Sequence, residues 1–127
     1  MAKEFLQTRR RSFSHAFSGL AYVFRTQKNT WIHALATVLA TAAGFWLQIS
    51  RTEWAVLAMT IAAVWTAECF NTAIEAVVDL TSPQLHPLAK IAKDSAAAGV
   101  LVTAFGSVIV GILLFGPPLW VRIVNLF

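Results

Sequence analysis

The sequence contains little charge and a single cysteine. Charged residues make up 13% of its 127 residues and hydrophobic residues 57%, whereas soluble domains carry about 25% charged residues. The mean hydropathy is correspondingly high, at +0.66. Because Cys69 is the only cysteine, an intrachain disulfide and a zinc site built from cysteines are excluded, and we expect Cys69 to be a small buried hydrophobic residue. The composition excludes an ordinary soluble domain and favours a membrane protein.

Three long apolar segments account for this composition. They cover about residues 31–49, 54–78 and 96–121. About 20 helical residues cross a bilayer core of roughly 30 Å, so each segment is long enough to span a membrane. The link at 48–53 makes the first two spans an antiparallel hairpin, and the prolines within 81–87 break the helix before the third. We expect an all-α membrane protein with three transmembrane helices in one domain, residues 1–127.

Positive charge is concentrated on one side of the predicted spans. Eight of the ten Lys and Arg residues precede the first or the third span, and two lie at the opposite ends. The eight are Lys3, Arg9, Arg10, Arg11, Arg25, Lys28, Lys90 and Lys93, and the two are Arg51 and Arg122. We expect the protein to lie in the cell (inner) membrane. By the positive-inside rule, its N-terminus is then in the cytoplasm and its C-terminus is outside. The basic N-terminal end therefore faces a membrane, and nucleic acid is not an expected partner.

The segment before the first span, residues 1–30, predicts a cytoplasmic amphipathic helix. Apolar residues recur there at helical spacing, and basic residues and serines take the other positions. The apolar set is Phe13, Phe17, Leu20, Ala21 and Phe24, and the polar set is Arg10, Arg11, Ser14, Ser18 and Arg25. Such a helix lies in the membrane interface or packs in the cytosol on the protein's own loops. We expect the interfacial position, because the segment joins directly to a span.

The second apolar segment carries four polar residues on one face: Glu68, Asn71, Glu75 and Asp79. At about 100° per residue they fall within about 80° of one another, and the first and last are about 16 Å apart along the axis. Acidic side chains inside a span are costly, so Glu68 and Glu75 indicate function, whereas Asp79 also fits an interfacial helix end. A divalent cation such as Mg²⁺, or Lys93, can offset the repulsion among the carboxylates.

The third apolar segment has a face of small residues. Gly99, Thr103, Ser107 and Gly111 recur every four residues, which favours close helix contact within the chain or between subunits. Three helices alone are not expected to shield the acidic stripe on the second span. We therefore expect a homo-oligomer with sites between its subunits.

Two stretches resemble the signature of the prokaryotic diacylglycerol kinase family. The first, 68–79, reads E-C-F-N-T-A-I-E-A-V-V-D, and the second, 92–101, reads A-K-D-S-A-A-A-G-V-L. The length, the amphipathic helix and the three spans match as well. The resemblance implies a homotrimeric membrane lipid kinase that moves the γ-phosphate of ATP to a lipid alcohol. The chain has neither a G-x-x-x-x-G-K-[ST] loop nor a soluble-kinase signature, so ATP binding is implied by the resemblance alone.

The resemblance also implies a role for each polar residue. Glu68 corresponds to the catalytic base, which accepts the proton of the lipid alcohol, and Glu75 corresponds to a ligand of Mg²⁺. The residues expected to line the nucleotide site are Asn71, Asp79, Lys93 and Asp94. Asp94 also fits a helix N-terminal residue that the macrodipole favours.

One position departs from the family pattern. The family places a second metal-binding Glu just after the amphipathic helix, and this chain has Gln27 there. Because an amide oxygen is a weaker Mg²⁺ ligand than a carboxylate, either the metal affinity drops, or Gln27 contacts the nucleotide, or this copy is engineered or impaired.

Two further stretches resemble the undecaprenol kinase branch of the family: 29–33, N-T-W-I-H, and 86–90, H-P-L-A-K. Undecaprenol is therefore the expected acceptor, and diacylglycerol is the alternative. Asn29 is expected near the lipid substrate, His33 near the lipid head or the nucleotide, and His86 near the nucleotide. His33 fits a hydrogen-bonded histidine at the membrane interface equally well.

Two functions from other classes are the rivals. A small proton- or cation-translocating subunit also carries intramembrane acids, but it predicts ionisable residues through the full depth of the membrane. Here the outer half of every span is mostly apolar, aromatic or small. A structural helper subunit explains the small-residue face and leaves Glu68 and Glu75 without a purpose. The one-sided stripe favours a catalytic site supplied from the cytosol.

Overall fold

The computed structural model shows an all-helical chain and describes residues 1–82, 84 and 86–126, without the side chains of residues 2 and 3. Over this part the chain forms four α-helices and no strand. They are α1 (Ala2–Thr26), α2 (Thr30–Leu47), α3 (Arg51–Thr81) and α4 (Pro87–Val124). The last three are long and apolar enough to cross a membrane. The prediction of an all-α, multi-pass membrane protein is confirmed.

The turn between α2 and α3 is shorter than the predicted link at 48–53. Gln48 ends α2 in the left-handed region, with φ 55° and ψ 47°. The Ser50 hydroxyl accepts a hydrogen bond from the Glu53 N–H at 3.3 Å, and the Ser50 N–H donates to the Glu53 carboxylate at 2.6 Å. This reciprocal cap satisfies N–H groups that a helix start leaves unpaired. The helix therefore begins at Arg51, before the apolar segment does.

The connection between α3 and α4 lies between Thr81 and Pro87, where the prolines predicted it. Its residues Pro83 and Leu85 are outside the described part of the chain. Pro87 takes the first position of α4, where its missing N–H is not needed. As a result, α4 begins several residues before the predicted span at 96–121.

The apolar core lies at the end of the bundle next to the α2–α3 turn. It is formed by Leu47, Ile49, Leu57 and Leu114, none of them more than 8% exposed. Arg122 connects α4 to α2 at this end, since its Nη2 donates a hydrogen bond to the Trp46 carbonyl at 2.7 Å. Its guanidinium also lies 5.1 Å from the centre of the Trp46 ring, a favourable cation–π distance. These contacts join the three spans at the end far from α1.

At the other end, α1 packs on α3 through its C-terminal part. The Phe24 ring lies 5.0 Å from the Trp65 ring, whereas Phe13 and Phe17, from the same predicted apolar face, are 65% and 68% exposed. Between α1 and α3 there is a cavity of about 310 Å³, lined in part by Cys69. Cys69 is consequently exposed, and the expectation that it is buried is wrong for the single chain.

Candidate active site

A cavity of about 660 Å³ lies between α2, α3 and α4, at the end of the bundle nearer α1. Its polar lining consists of Gln27, Asn29, His33, Glu68, Asn71 and Asp94. The apolar lining comes mainly from α4, through Ala97, Ala98, Val100, Leu101 and Ala104. The fold therefore brings together three separate parts of the sequence, 27–33, 68–71 and 94–104. All six polar residues of this lining were predicted for the site.

Glu68 is the most deeply buried acid of the stripe. Its residue is 2% exposed, and Asn71, one turn further along α3, is 6% exposed. The Nε2 atom of His33 on α2 lies 2.9 Å from Glu68 Oε1, although this oxygen accepts no aligned hydrogen bond from the described residues. The expectation that one chain cannot shield the stripe is thus wrong for Glu68 and Asn71. It holds for Asp79, whose side chain is 67% exposed.

Glu75 is bound by two amide side chains. The Gln27 Nε2 donates a hydrogen bond to Glu75 Oε2 at 2.5 Å, and the Asn71 Nδ2 approaches Oε1 at 3.4 Å. Gln27 reaches this position because it is the C-cap residue of α1, in the short connection to α2, which begins at Thr30. The family pattern has a glutamate at position 27. In this chain the neutral Gln27 amide takes that place and donates to the Glu75 carboxylate.

The donor set around Glu75 is compatible with a hard cation. The Glu75 carboxylate is the oxygen chemistry that Mg²⁺ prefers. Gln27 and Asn71 now present their amide nitrogens to Glu75, and their amide oxygens would join the donor set once the amides turn over. The Oδ1 atom of Asn71 is buried and has no hydrogen-bond partner among the described residues, so it is free to act as a ligand. Within that same part of the chain, no three His, Cys, Asp or Glu side chains lie close enough to form a metal cluster.

A second cavity, of about 410 Å³, adjoins the first between the end of α3 and the start of α4. Its polar lining includes Asp79, Gln84, His86, Lys90, Lys93 and Asp94. Lys93 Nζ donates to Asp79 Oδ1 at 2.7 Å, and Lys90 forms an ion pair with Asp94. His86 Nδ1 accepts a hydrogen bond from the Leu88 N–H at 3.2 Å, which caps α4. Lys93 was a candidate counter-charge for the acidic stripe, and it pairs with Asp79, the outermost acid of that stripe.

The two cavities share Asp94. Every predicted site residue lines one of them except Glu75, which is hydrogen-bonded to Gln27 of the first cavity. One cavity combines a buried carboxylate with an apolar wall, and the other combines two lysines with a histidine. This arrangement can hold the polar end of a lipid beside a phosphate-bearing molecule.

Several residues of the site were not singled out from the sequence. Next to Asn29 of the cavity lining, Thr30 at the start of α2 is fully buried and its hydroxyl has no partner among the described residues, although Thr30 does not line the cavity itself. The alanines at 97, 98 and 104 make room for the first cavity, because their small side chains leave space opposite Glu68. The run of three alanines after Lys93 and Asp94 was the available signal. For Thr30 the sequence carries no comparable signal.

Comparisons with known proteins agree with the motifs at this site. Residues 14–115 match the family model described as prokaryotic diacylglycerol kinase. The undecaprenol kinase of Bacillus subtilis (strain 168) is 42% identical over 109 residues, which cover 86% of this chain and 89% of that protein. A diacylglycerol kinase of Synechocystis sp. is 48% identical over 109 residues, covering 85% of this chain and 62% of that protein, so this chain spans less than two thirds of its length.

The diacylglycerol kinase of Escherichia coli (strain K12) is more distant, at 29% identity over 104 residues, covering 76% of this chain and 85% of that protein. The family match extends from the middle of α1 to the second half of α4, and so includes every residue of both cavities. The chain belongs to the prokaryotic diacylglycerol kinase family and is a membrane lipid kinase, an ATP-dependent phosphotransferase.

Proposed function

We propose that this kinase transfers the γ-phosphate of ATP to undecaprenol at the first cavity, with Glu68 as the catalytic base. The observation that carries the proposal is the position of Glu68. It is a 2% exposed carboxylate in a cavity with an apolar wall, and a neighbouring cavity carries the lysines. A lipid hydroxyl and a terminal phosphate can approach this carboxylate from different sides.

The chemistry follows from these positions. Glu68 accepts the proton of the lipid hydroxyl while the oxygen attacks the γ-phosphorus and the bond to ADP breaks. Lys93, with Asn71, Asp79, His86 and Asp94, is assigned to the nucleotide site, where its ammonium offsets phosphate charge. Mg²⁺, when bound, would neutralise charge on the transferring group, and Glu75, Asn71 and Gln27 are the residues that would hold it.

The choice of acceptor rests on residues at the first cavity and on the relatives. Asn29 and His33, from the stretch that resembles the undecaprenol kinase branch, both line the cavity and are assigned to the lipid. The B. subtilis relative carries the name undecaprenol kinase. Diacylglycerol is the second candidate, because the Synechocystis relative is named for it at 48% identity.

We further propose a homotrimer in the cell (inner) membrane, with the N-terminus cytoplasmic and the C-terminus outside. The charge distribution supports the orientation, as eight of the ten Lys and Arg residues lie on the α1 side of the spans. Residues 1–30 are assigned to the cytoplasmic interface, supported by the exposed Phe13 and Phe17 on α1. The whole chain, 1–127, is then a single domain.

A cation-translocating subunit fits the geometry less well. Beyond His33 the bundle contains a further cavity of about 200 Å³, lined by apolar residues together with Thr37, Thr60 and Ser107. Among the residues that the structure describes, His33 is the only titratable one in this lining. A conduction pathway needs exchangeable groups along its whole length, whereas here the sequence has no acid between Glu68 and the cap residue Glu53 at the far end of α3.

The proposal is tested with the purified protein in mixed micelles, supplied with ATP and Mg²⁺ and with undecaprenol or diacylglycerol as acceptor. Glu68→Gln should lower the rate of phosphate transfer by about 10²- to 10⁴-fold, the usual cost of removing a positioned base, with ATP binding retained. Glu53→Gln is the matched control, because it makes the same change on α3 at the far end of the helix. Wild-type turnover in Glu68→Gln would remove Glu68 from the mechanism. Faster transfer to diacylglycerol than to undecaprenol would make diacylglycerol the acceptor.

A further inference from the structure

A buried base must lose the proton it has accepted before the next turnover. The Glu68 side chain is only 3% exposed, and when a lipid occupies the cavity that Glu68 lines, water has little access to its carboxylate. If Glu68 takes the proton of the lipid alcohol, as the proposed function on which this inference rests requires, a neighbouring group must carry that proton away.

His33 is the neighbour in position to do so. Its Nε2 lies 2.9 Å from Glu68 Oε1, and its side chain is 16% exposed, compared with 3% for Glu68. It lies on α2 and the carboxylate lies on α3, so the contact depends on the packing of two helices. The imidazole is the titratable side chain whose ordinary pKa is nearest neutrality.

The surroundings of the pair leave the imidazole room to reorient. His33 lines both the 660 Å³ cavity and the 200 Å³ cavity beyond it. Glu68 Oε1 accepts no aligned hydrogen bond from the described residues, although Nε2 is within hydrogen-bond distance. A purely structural histidine is usually fixed by aligned bonds, whereas catalytic bonds are often poorly aligned until substrate is bound.

The other charged groups near the pair are less suitable. Asp94 of α4 lines the same cavity but forms an ion pair with Lys90. Glu75 of α3 is held by amide donors. From the α1–α2 connection, Gln27 and Asn29 line the cavity, and neither side chain titrates.

We propose that His33 is a positioning residue that takes the proton from Glu68 after each transfer and releases it to solvent through the cavity. In the transfer step, the O–H bond of the lipid alcohol breaks and its proton goes to Glu68. The oxygen forms a bond to the γ-phosphorus, and ADP leaves with the electrons of the broken P–O bond. The proton then passes from the Glu68 carboxylic acid to Nε2 of the neutral imidazole. The imidazolium turns toward the cavity and loses this Nε2 proton to solvent, which restores the tautomer that accepts the next proton. One proton is released for each phosphate transferred.

The test compares His33→Gln and His33→Ala with the wild type, using ATP, Mg²⁺ and either undecaprenol or diacylglycerol in mixed micelles. A glutamine fills the site and forms hydrogen bonds but cannot accept a proton, so kcat should fall by about 100-fold, the lower end of the range for general acid–base groups. KM for ATP should stay within about threefold, since His33 is assigned to the lipid and not to the nucleotide. His15→Gln, on the exposed part of α1, is the matched control and should retain wild-type kcat.

His33→Ala supplies a readout that a structural role would not change. Imidazole added to the assay should restore part of its kcat, in proportion to the concentration of neutral imidazole, and should not restore Glu68→Gln. This variant also decides the matter if His33→Gln fails to fold. Full kcat in His33→Gln, a change confined to KM, or no rescue of His33→Ala by imidazole would each overturn the relay. An inactive Glu68→Gln would leave the proposed function standing in all three cases, whereas an active Glu68→Gln would overturn both.

Discussion

Gln27 and Glu75 are separated by 48 positions in the chain and joined by a direct hydrogen bond from the Gln27 amide to the Glu75 carboxylate. A glutamate at position 27, which the family pattern favours, would place two carboxylates in contact. Such a pair is stable only with a cation or a shared proton between the two groups. The amide satisfies Glu75 directly, and so reduces the need for a cation at this point.

Gln27→Glu should therefore lower the Mg²⁺ concentration needed for half-maximal phosphate transfer. A second carboxylate adds negative charge around the same cation, and the number of charged ligands is a main determinant of affinity for hard divalent ions. We expect a several-fold decrease, measured as rate against free Mg²⁺ at fixed ATP because ATP itself binds Mg²⁺. At saturating Mg²⁺ the two proteins should have similar rates.

Gln7→Glu is the control for this change, because it adds the same charge at an exposed position of α1. It should leave the Mg²⁺ dependence unaltered. Equal Mg²⁺ curves for Gln27→Glu and the wild type would contradict a metal role for position 27, and Gln27 would then act on Glu75 only through their hydrogen bond.

Gly99→Leu should weaken the proposed homo-oligomer. A methyl group built on Gly99 meets no atom within 4 Å, and the residue is exposed in the single chain, so this part of α4 is available to another subunit. Small residues allow close approach of helices in membranes, and a leucine would prevent it. Crosslinking and analytical ultracentrifugation in detergent should show a larger fraction of smaller species.

Gly111→Leu is the comparison for the oligomer. Gly111 lines the 200 Å³ cavity between α2, α3 and α4, so its leucine would occupy space within the chain. We expect little change in association for this variant. If Gly99→Leu leaves the oligomer intact, subunits do not meet through this part of α4, and the small-residue face serves contacts within the chain.

The hydropathy pattern was sufficient to predict the helical class and the three spans, but not the ends of the helices. The start of α3 depends on the Ser50 and Glu53 cap, and the start of α4 on Pro87. Both signals lie outside the apolar segments, because a cap is a local hydrogen-bond arrangement and hydropathy does not register it.

Similarly, only part of the arrangement of the acidic stripe could be predicted from the sequence. Helical periodicity placed Glu68 and Glu75 on one face of α3, since it fixes directions around a single axis. It carries no information on which helix faces that side. The contacts of Glu68 with His33 and of Glu75 with Gln27 arise from the packing of α2 and the end of α1 against α3. For this reason the burial of Glu68 within one chain was not anticipated.

Gly44→Ala should destabilise the hairpin of α2 and α3. A Cβ atom at position 44 would lie 3.0 Å from the Trp54 ring and 3.1 Å from Ile49 Cδ1, closer than ordinary van der Waals contact. Both side chains belong to or border the apolar core next to the turn, so neither can shift without disturbing it. Overpacking of this kind costs about 1–3 kcal/mol.

The measurement for Gly44→Ala is the thermal unfolding midpoint in detergent, followed by near-UV circular dichroism of the tryptophans. Gly106→Ala is the matched control: it makes the same substitution within a predicted span, and a Cβ atom there meets nothing within 4 Å. Alanine favours a helix over glycine by about 1 kcal/mol, so the control should unfold at the same temperature as the wild type or slightly higher. Gly44→Ala should unfold several degrees lower, because the steric conflict outweighs the same gain in helix propensity. Equal midpoints for the two variants would mean that Trp54 and Ile49 yield freely, and that the α2–α3 packing at Gly44 does not require a glycine.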